Sequence, residues 1–287
     1  MTTRMPGVPW TGQRGCYGAD GAAVPCAGRA QDGALRPGVP WPDPRFTPDG
    51  ATVLDGLTGL VWSRDATPAE APLTWAEALA FVDGLNRDGH GGRTDWRLPD
   101  RRELLSLVDR DAAKPALPAG HPFHNVTPHW TWTSTTAARV PDHAWYVDLD
   151  GGRLFWGNKG QYFLAWPVAG RGSGLLAATG QARCYDSRGN IVACAGSGQD
   201  AAVSPGAPWP RPRFAVEGDS VWDALTGLWW RRAADLADGP VAWGEALEAA
   251  AALARRTGFP WRLPTIAELE RPARIVAPVD GCAPVAL

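Results

Sequence analysis

Apolar and polar positions along the chain alternate between strand-like and helical periods, and the pattern is written twice. In "VLDGLTGLVW" (53–62) two short apolar runs surround Asp-Gly and Thr-Gly, which predicts a β-hairpin with Trp62 pointing inward. Apolar residues then recur at i, i+3, i+4 and i+7 from Trp75, behind a capping box of Thr74 and Glu77. This pattern predicts an amphipathic helix of about 12 residues.

The phrase "DWRLPDRREL" (95–104) predicts a short extended run, a proline stop and a second capped helix. It returns as "PWRLPTIAEL" (260–269), where Thr265 and Glu268 form a full capping box. Arg97 and Arg262 occupy the same position of the two phrases. We interpret both as structural arginines that bond backbone carbonyls rather than a ligand.

From Trp130 onward the period changes to two. Four strand-like runs follow, "WTWTSTT", "AWYVDLD", "RLFW" and "YFLAWPV", and "DGG" forms a tight turn between the middle two. The order of hairpin, two helices and a meander of about four strands predicts the α+β class.

The repeated phrases belong to an internal duplication. A shift of 168 residues aligns 11–62 with 179–230, and 29 of those 52 positions are identical. A period of domain size predicts two copies of one domain. We expect a complete domain at 11–170, a Gly-rich linker at 171–178, and a second copy at 179–287 that lacks the late strands and so cannot cover its helices. A frameshift or premature stop near residue 270 is a hypothesis for the abrupt end of the match.

The cysteines predict two disulfide-closed hairpins. Cys16 and Cys26 bracket the turn-like "GADG", and Cys184 and Cys194 bracket "DSRGN". Zinc ligation is the alternative, but this spacing without a nearby His is wrong for it. Cys282 is left over, either free or paired between molecules. Disulfides indicate an oxidising, extracytoplasmic location, although the first residues show no signal-peptide pattern.

Charge and hydropathy exclude some classes of partner. The formal net charge of −2 supplies no field that would gather nucleic acid. No window approaches 18 uninterrupted apolar residues, so we expect no membrane span.

The ordered set of "DGLTGLVW", "TWAEAL", "DWRLPDRREL", "ALPAGHPF", "WTSTT", "AWYVDLDGG" and "YFLAWPV" resembles the Lcl C-terminal domain family. This resemblance implies a C-type-lectin-like fold and an exported bacterial recognition or adhesion module, since the adhesin that names the family is associated with sulfated polysaccharide. The phrase "WRLPTIAELE" is also similar to one in the formylglycine-generating enzymes, relatives of that fold.

Catalytic chemistry is not predicted. Oxidation of the formylglycine type needs reactive thiols in the late strands, and no cysteine lies between Cys26 and Cys184. Ser134 lies in an alternating strand without a nucleophile-elbow context, and His121 and His124 lie in a proline-containing loop. We therefore expect no catalytic residues, no metal and no cofactor.

Recognition is the remaining function, and exposed rings beside Arg, Lys and Asn are typical of surfaces that bind sugars. The late segments offer six candidate ligand-binding residues: Arg139, His143, Trp156, Asn158, Lys159 and Tyr162. The expected partner is a polysaccharide or a surface protein. A structural cell-surface role without a specific small ligand is the alternative, and an enzyme related to the formylglycine-generating family is disfavoured. The sequence leaves the oligomeric state open.

Overall fold

The computed structural model describes residues 7–270 and has the α+β class, with short helices and small antiparallel sheets. We call residues 7–45 extension 1, 46–170 the first unit, 171–213 extension 2 and 214–270 the second unit. The elements up to residue 170 are β1 (Cys16–Tyr17), β2 (Ala23–Val24), α1 (Asp32–Leu35), β3 (Phe46–Asp49), β4 (Thr52–Asp55), β5 (Val61–Ser63), α2 (Trp75–Asp88), a 3₁₀ turn (His90–Gly92), β6 (Trp96–Arg97), α3 (Arg101–Ser106), β7 (Trp130–Thr136), β8 (His143–Asp148), β9 (Arg153–Asn158) and β10 (Val168–Ala169). They are followed by β11 (Cys184–Tyr185), β12 (Ile191–Val192), α4 (Asp200–Val203), β13 (Phe214–Glu217), β14 (Ser220–Asp223), β15 (Leu228–Arg231), α5 (Trp243–Thr257) and α6 (Ile266–Leu269).

Two sheets build the first unit. One has five strands in the order β3-β4-β5-β10-β6, and the other is the meander β7-β8-β9. The meander therefore has three strands and not the expected four. The last predicted run instead supplies β10, in which Val168 pairs with Trp62 on one side and Arg97 on the other. Burial explains the difference, because Trp166 is fully buried and its indole N–H donates to the Ser63 carbonyl at 2.9 Å.

Aromatic residues fill the two cores between these layers. Trp62 points inward as predicted, and its ring meets that of Trp166 with centroids 5.7 Å apart. Phe123 packs edge-on against Trp166 from the other side, at 4.9 Å. A second cluster, which includes Trp75 and Trp132, joins α2 to the meander. The apolar stripe of α2 thus has its cover in strands far along the chain.

The helix starts follow the predicted capping chemistry. Capping boxes are present at Thr74, Asp100 and Thr265, each with a glutamate three residues later. Helix α2 has 14 residues, two more than expected, and ends at Gly89 with φ 63°. A backbone in this left-handed region suits glycine, which lacks the Cβ that would clash.

Arg97 is structural, as interpreted, but its main partner is a carboxylate. Its guanidinium donates to both oxygens of Glu103, at 2.6 and 2.7 Å, and to the Gly170 carbonyl at 2.8 Å. This fork ties β6 to α3 and to the end of β10. Arg262 makes the same two-oxygen contact with Glu268 in the second unit.

Both predicted disulfides are present. Cys16 is bonded to Cys26 and Cys184 to Cys194, with Cα atoms 5.3 and 5.2 Å apart. Cys282 lies outside the described residues. Two disulfides are compatible with an extracytoplasmic location.

Each extension joins its unit through a buried ion pair. Arg45 donates to both carboxylate oxygens of Asp55 at 2.9 Å, and Arg213 does the same with Asp223 at 2.8 Å. Each of these arginines also lies over a tryptophan ring, 4.6 Å from its centroid. The duplicated sequence thus repeats this local contact in detail.

The segment expected to be a linker is packed into the protein. Leu175, Leu176 and Ala177 are buried, and Ser173 N–H donates to the Thr58 carbonyl at 2.6 Å. This part of extension 2 is therefore held against the first unit and is not a free tether.

The second unit repeats the early elements of the first. Its sheet β13-β14-β15 and helices α5 and α6 follow the order of β3-β4-β5, α2 and α3. Between residues 214 and 270 there is no counterpart of the meander or of β10. Across residues 7–270, no helix combines the length and apolar character needed to cross a lipid bilayer.

The two arginine forks allow a matched test. Replacing Arg97 with Ala leaves Glu103 charged and 2% exposed, so we expect a loss of about 3 kcal/mol in the free energy of unfolding. Glu268 is buried to the same extent, but the Arg262 side chain is 23% exposed against 9% for Arg97, so water reaches that fork more easily and the same change there should cost less, about 1 kcal/mol. Urea denaturation of both variants measures the difference, and equal losses would contradict the role given to Arg97.

Candidate recognition surface

The register of the meander brings three of the six predicted residues onto one face. His143 pairs with Asn158, and two residues further Trp145 pairs with Trp156. Residues at i and i+2 of a strand point to the same side, so these four side chains share a face of the β8-β9 ribbon. We call them, together with Arg101 from α3, the Trp156 face.

Aromatic and cationic groups are stacked on the Trp156 face. The rings of Trp145 and Trp156 are nearly perpendicular, with centroids 5.1 Å apart, and the Arg101 guanidinium lies 5.2 Å from the Trp145 ring. Trp156 is 49% exposed, whereas Trp145 is half-buried between its neighbours. The contact with the Trp145 ring thus supports the exposed indole of Trp156.

A polar cluster borders these rings. The Asp142 carboxylate lies 2.9 Å from His143 Nδ1 and accepts from Asn158 Nδ2 at 3.2 Å. The hydrogen bond from His143 lowers the pKa of Asp142. An ionised carboxylate only accepts, so Nδ1 carries the proton and Nε2 is directed away from Asp142. The cluster fixes the orientation of both side chains.

Two of the remaining predicted residues are exposed at the turns. Arg139 lies between β7 and β8, and Tyr162, at 64% exposed, follows β9. Neither belongs to the paired rows of the Trp156 face.

Lys159 is a correction to the predicted set. It is 1% exposed, and its Nζ donates to the backbone carbonyls of Tyr185 and Asp186 at 3.1 and 3.2 Å. The ammonium also lies 4.1 Å from the centroid of the Trp75 ring. Strand alternation sends Lys159 to the opposite side from Asn158, where extension 2 covers it. Its amino group joins extension 2 to the first unit and offers nothing to an external ligand.

Sequence reasoning missed a second row of rings. On the other face of the ribbon Tyr146 pairs with Phe155, and Trp130 lies beside Tyr146 with centroids 5.8 Å apart. Trp130 and Phe155 are exposed, and Arg153 lies 5.6 Å from the Phe155 ring. Tyr146 and Phe155 alternate along β8 and β9 with Trp145 and Trp156, so the period of two in the sequence could have identified this row.

Other candidate chemistry is used internally. Ser134 is buried and its hydroxyl donates to the Pro99 carbonyl at 3.3 Å, while Thr133 donates to the Trp145 carbonyl at 2.7 Å. Burial lowers the pKa of His121. Within residues 7–270, no group of three or more His, Cys, Asp or Glu is arranged to hold a metal ion.

The geometry describes a small α+β domain that presents ordered aromatic rings on both faces of a three-stranded ribbon. Residues 51–169 match the family model of the Lcl C-terminal domain. A comparison with curated proteins found no significant match.

Lys159 gives a test of the contact between extension 2 and the first unit. Burial lowers its pKa from 10.5 to about 8, against the opposing effects of Asp186 and Asp142. Between these pH values the unfolded chain holds a proton that the folded chain has released. The contribution of Lys159 to the free energy of unfolding should therefore rise as the pH increases from about 8 to 10.5.

The matched control for this prediction is the other lysine in the chain, Lys114, whose side chain is 74% exposed. Denaturation curves across the same pH range should keep the rise in Lys114→Met and lose it in Lys159→Met. A rise that persists unchanged in Lys159→Met would show that another group produces it.

Proposed function

We propose that the first unit is a non-catalytic recognition module of C-type-lectin-like architecture that binds a carbohydrate polymer, outside the cytoplasm, on its Trp156 face. In this proposal residues 11–170 form the complete domain, 171–178 the connection, and 179–287 a second copy in which no counterpart of the meander is found up to residue 270. The observation that carries it is the exposed Trp156 ring, supported by Trp145 and Arg101 and bordered by oriented polar groups.

The chemistry of the face suits a sugar. The C–H faces of a pyranose ring stack on indole, and its hydroxyls need donors and acceptors at the rim. Asn158 and His143 supply such groups in fixed orientation through Asp142. Exposed Trp and Arg are also the residues that dominate binding energy at recognition surfaces.

The shape of the surface favours a polymer over a small molecule. Trp156 is 49% exposed at the surface, whereas a cavity of about 50 Å³ is lined elsewhere by Pro9, Trp10, Leu105 and Ala267. An exposed ring with polar groups beside it can contact a polymer that extends beyond it on either side. Binding energy is then gained along the chain of the polymer and not by enclosure.

The proposal leaves catalysis out on chemical grounds. Formylglycine-type oxidation requires reactive thiols, and the four cysteines within residues 7–270 are joined in disulfides. The disulfides also support an extracytoplasmic site of action. A structural cell-surface role is the alternative, and it predicts an intact fold that retains no glycan.

A glycan array probed at low and high salt tests the proposal. We expect retention on a subset of polysaccharides, and loss of at least about tenfold in affinity for Trp156→Ala, the size expected for a ring at the centre of an interface. Retention that survives high salt would indicate ring stacking, whereas loss at high salt would indicate that Arg101 and Arg139 capture an anionic polymer.

The matched control is Phe259→Ala, which removes an exposed ring of the second unit, 41% exposed, and should leave retention unchanged. Absence of signal from the folded wild-type chain at both salt concentrations would count against carbohydrate binding. Equal losses in the two variants would remove the assignment to the Trp156 face.

A further inference from the structure

The two extensions dock on the two units in equivalent ways. Arg102 of α3 donates to the carbonyls of Ala177 and Ala178 in extension 2, at 3.1 and 2.6 Å. Pro9 and Trp10 of extension 1, which align with those alanines, line a cavity with Ala267 of α6, the residue that aligns with Arg102. Extension 2 therefore contacts the first unit. Extension 1 reaches α6 of the second unit and also bonds the first unit, where the Arg110 N–H donates to the Thr11 carbonyl at 3.0 Å and Arg14 donates to Asp109 at 3.2 Å.

Charged groups of the extensions lie near both arginine forks. In the first unit Asp200, from extension 2, interacts electrostatically with Arg97 and with Glu103. In the second unit Asp32, from extension 1, is under the influence of Glu268 and Arg262. Asp32 and Asp200 align in the duplication, so each arginine fork has the aspartate of the opposite extension beside it.

On the first unit the meander completes this contact. Asp200 accepts from the hydroxyls of Thr135 and Thr179 at 2.7 Å each. The Gln181 side chain accepts from the Thr136 N–H and donates to its carbonyl, both at 2.9 Å, in the manner of an added backbone. Lys159 closes the other end on the carbonyls of extension 2.

In extension 1, Asp32 and Gln13 align with Asp200 and Gln181 but lack the corresponding strand partners among the described residues. Asp32 accepts only from Thr11, which aligns with Thr179, and its other oxygen is buried with no hydrogen-bond donor. No described hydrogen bond involves the side chain of Gln13, which aligns with Gln181. The buried carboxylate oxygen is therefore directed to the place that a threonine hydroxyl fills on the other side.

The second unit has an apolar face open at the same place. Trp243 is 51% exposed, whereas its counterpart Trp75 is 2% exposed beneath the meander. Leu269 is likewise 51% exposed, whereas Leu104 is fully buried. Both residues lack the cover that meander residues give their counterparts, because residues 214–270 supply no such strands.

We propose that extension 1 and the second unit together form a docking site for a β-meander of the Lcl type that is not already part of a complete domain. The first unit defines the chemistry of the occupant. It carries a threonine hydroxyl for Asp32, a strand backbone for Gln13, aromatic side chains for Trp243, and an ammonium for the carbonyls of Tyr17 and Gly18.

Two segments of residues 1–287 fit less well as the occupant. Residues 271–287 contain no Thr, Ser, Lys or aromatic residue, so they cannot provide these groups. The meander of a second intact copy is committed to its own unit, because the chain after it forms β10 between β5 and β6. A meander that is not already part of a complete domain is the matching occupant.

The probe is a fluorescently labelled synthetic peptide with the sequence of residues 128–170, titrated against the full chain. We expect saturable binding of one peptide per chain, with new protection from hydrogen exchange in residues 11–32 and 243–253. A peptide with Thr135→Val and Lys159→Met should bind at least about tenfold more weakly, as expected from loss of hydrogen bonds to charged groups. This change lies in the peptide, so it cannot disturb the fold of the chain.

Variants of the chain locate the site. Asp32→Asn and Trp243→Ala should each weaken binding of the unchanged peptide, whereas Asp219→Asn and Phe259→Ala, at exposed positions of the second unit, should not. Absence of binding, or binding insensitive to Asp32 and Trp243, would overturn the proposal. Protection from hydrogen exchange confined to 75–82 and 184–200 would also overturn it, because it would indicate that the peptide exchanges into the first unit. The same holds if, without peptide, α5 is already as well protected from hydrogen exchange as α2.

Discussion

The ion pair between Arg97 and Glu103 is the contact on which the rest of the first unit depends. Glu103 accepts both arms of the guanidinium and also the N–H of Asp100, so one buried carboxylate joins the strand to the start of the helix. The remaining reach of Arg97 to the Gly170 carbonyl fixes the end of β10. Two distant ends of the domain therefore meet at one side chain. A charge pair this deeply buried is tolerable because both terminal nitrogens of the guanidinium and both carboxylate oxygens have hydrogen-bond partners.

The duplication places the same fork in both units but gives them different surroundings. In the first unit β10 and the meander close over it, and the large rings of the core become inaccessible. In the second unit the fork forms, the capping box at Thr265 forms, and the helix stripes stay open. The fork and the capping box thus form without the rest of the sheet, whereas burial of the apolar helix residues requires it. Extension 2 packs on the first unit through the Gly-rich connection at Thr58 and through the Arg102 side chain.

The candidate site was only partly accessible from the sequence. Trp156, His143 and Asn158 could be chosen from their composition, and the antiparallel register of β8 and β9 then unites them on one face. Residue type also favours Lys159 as a ligand-binding residue, but its side chain lies on the side opposite to Asn158, where extension 2 covers it. The row of Trp130, Tyr146 and Phe155 was missed because exposure on the second face depends on what does not pack there. Exposure is a property of the folded neighbourhood, and residue type is only a weak guide to it.

The sequence by itself determined the class α+β, the capped helix starts, the two disulfide hairpins, the inward Trp62 and the repeat of 168 residues. All of these rest on groups a few residues apart or on direct comparison of the two copies. Only the tertiary structure decided that the last predicted strand lies between β5 and β6, that Lys159 bonds Tyr185 and Asp186, and that extension 2 packs on the first unit. These contacts join residues far apart in the chain, and their energies come from desolvation and close packing, which a local pattern does not encode.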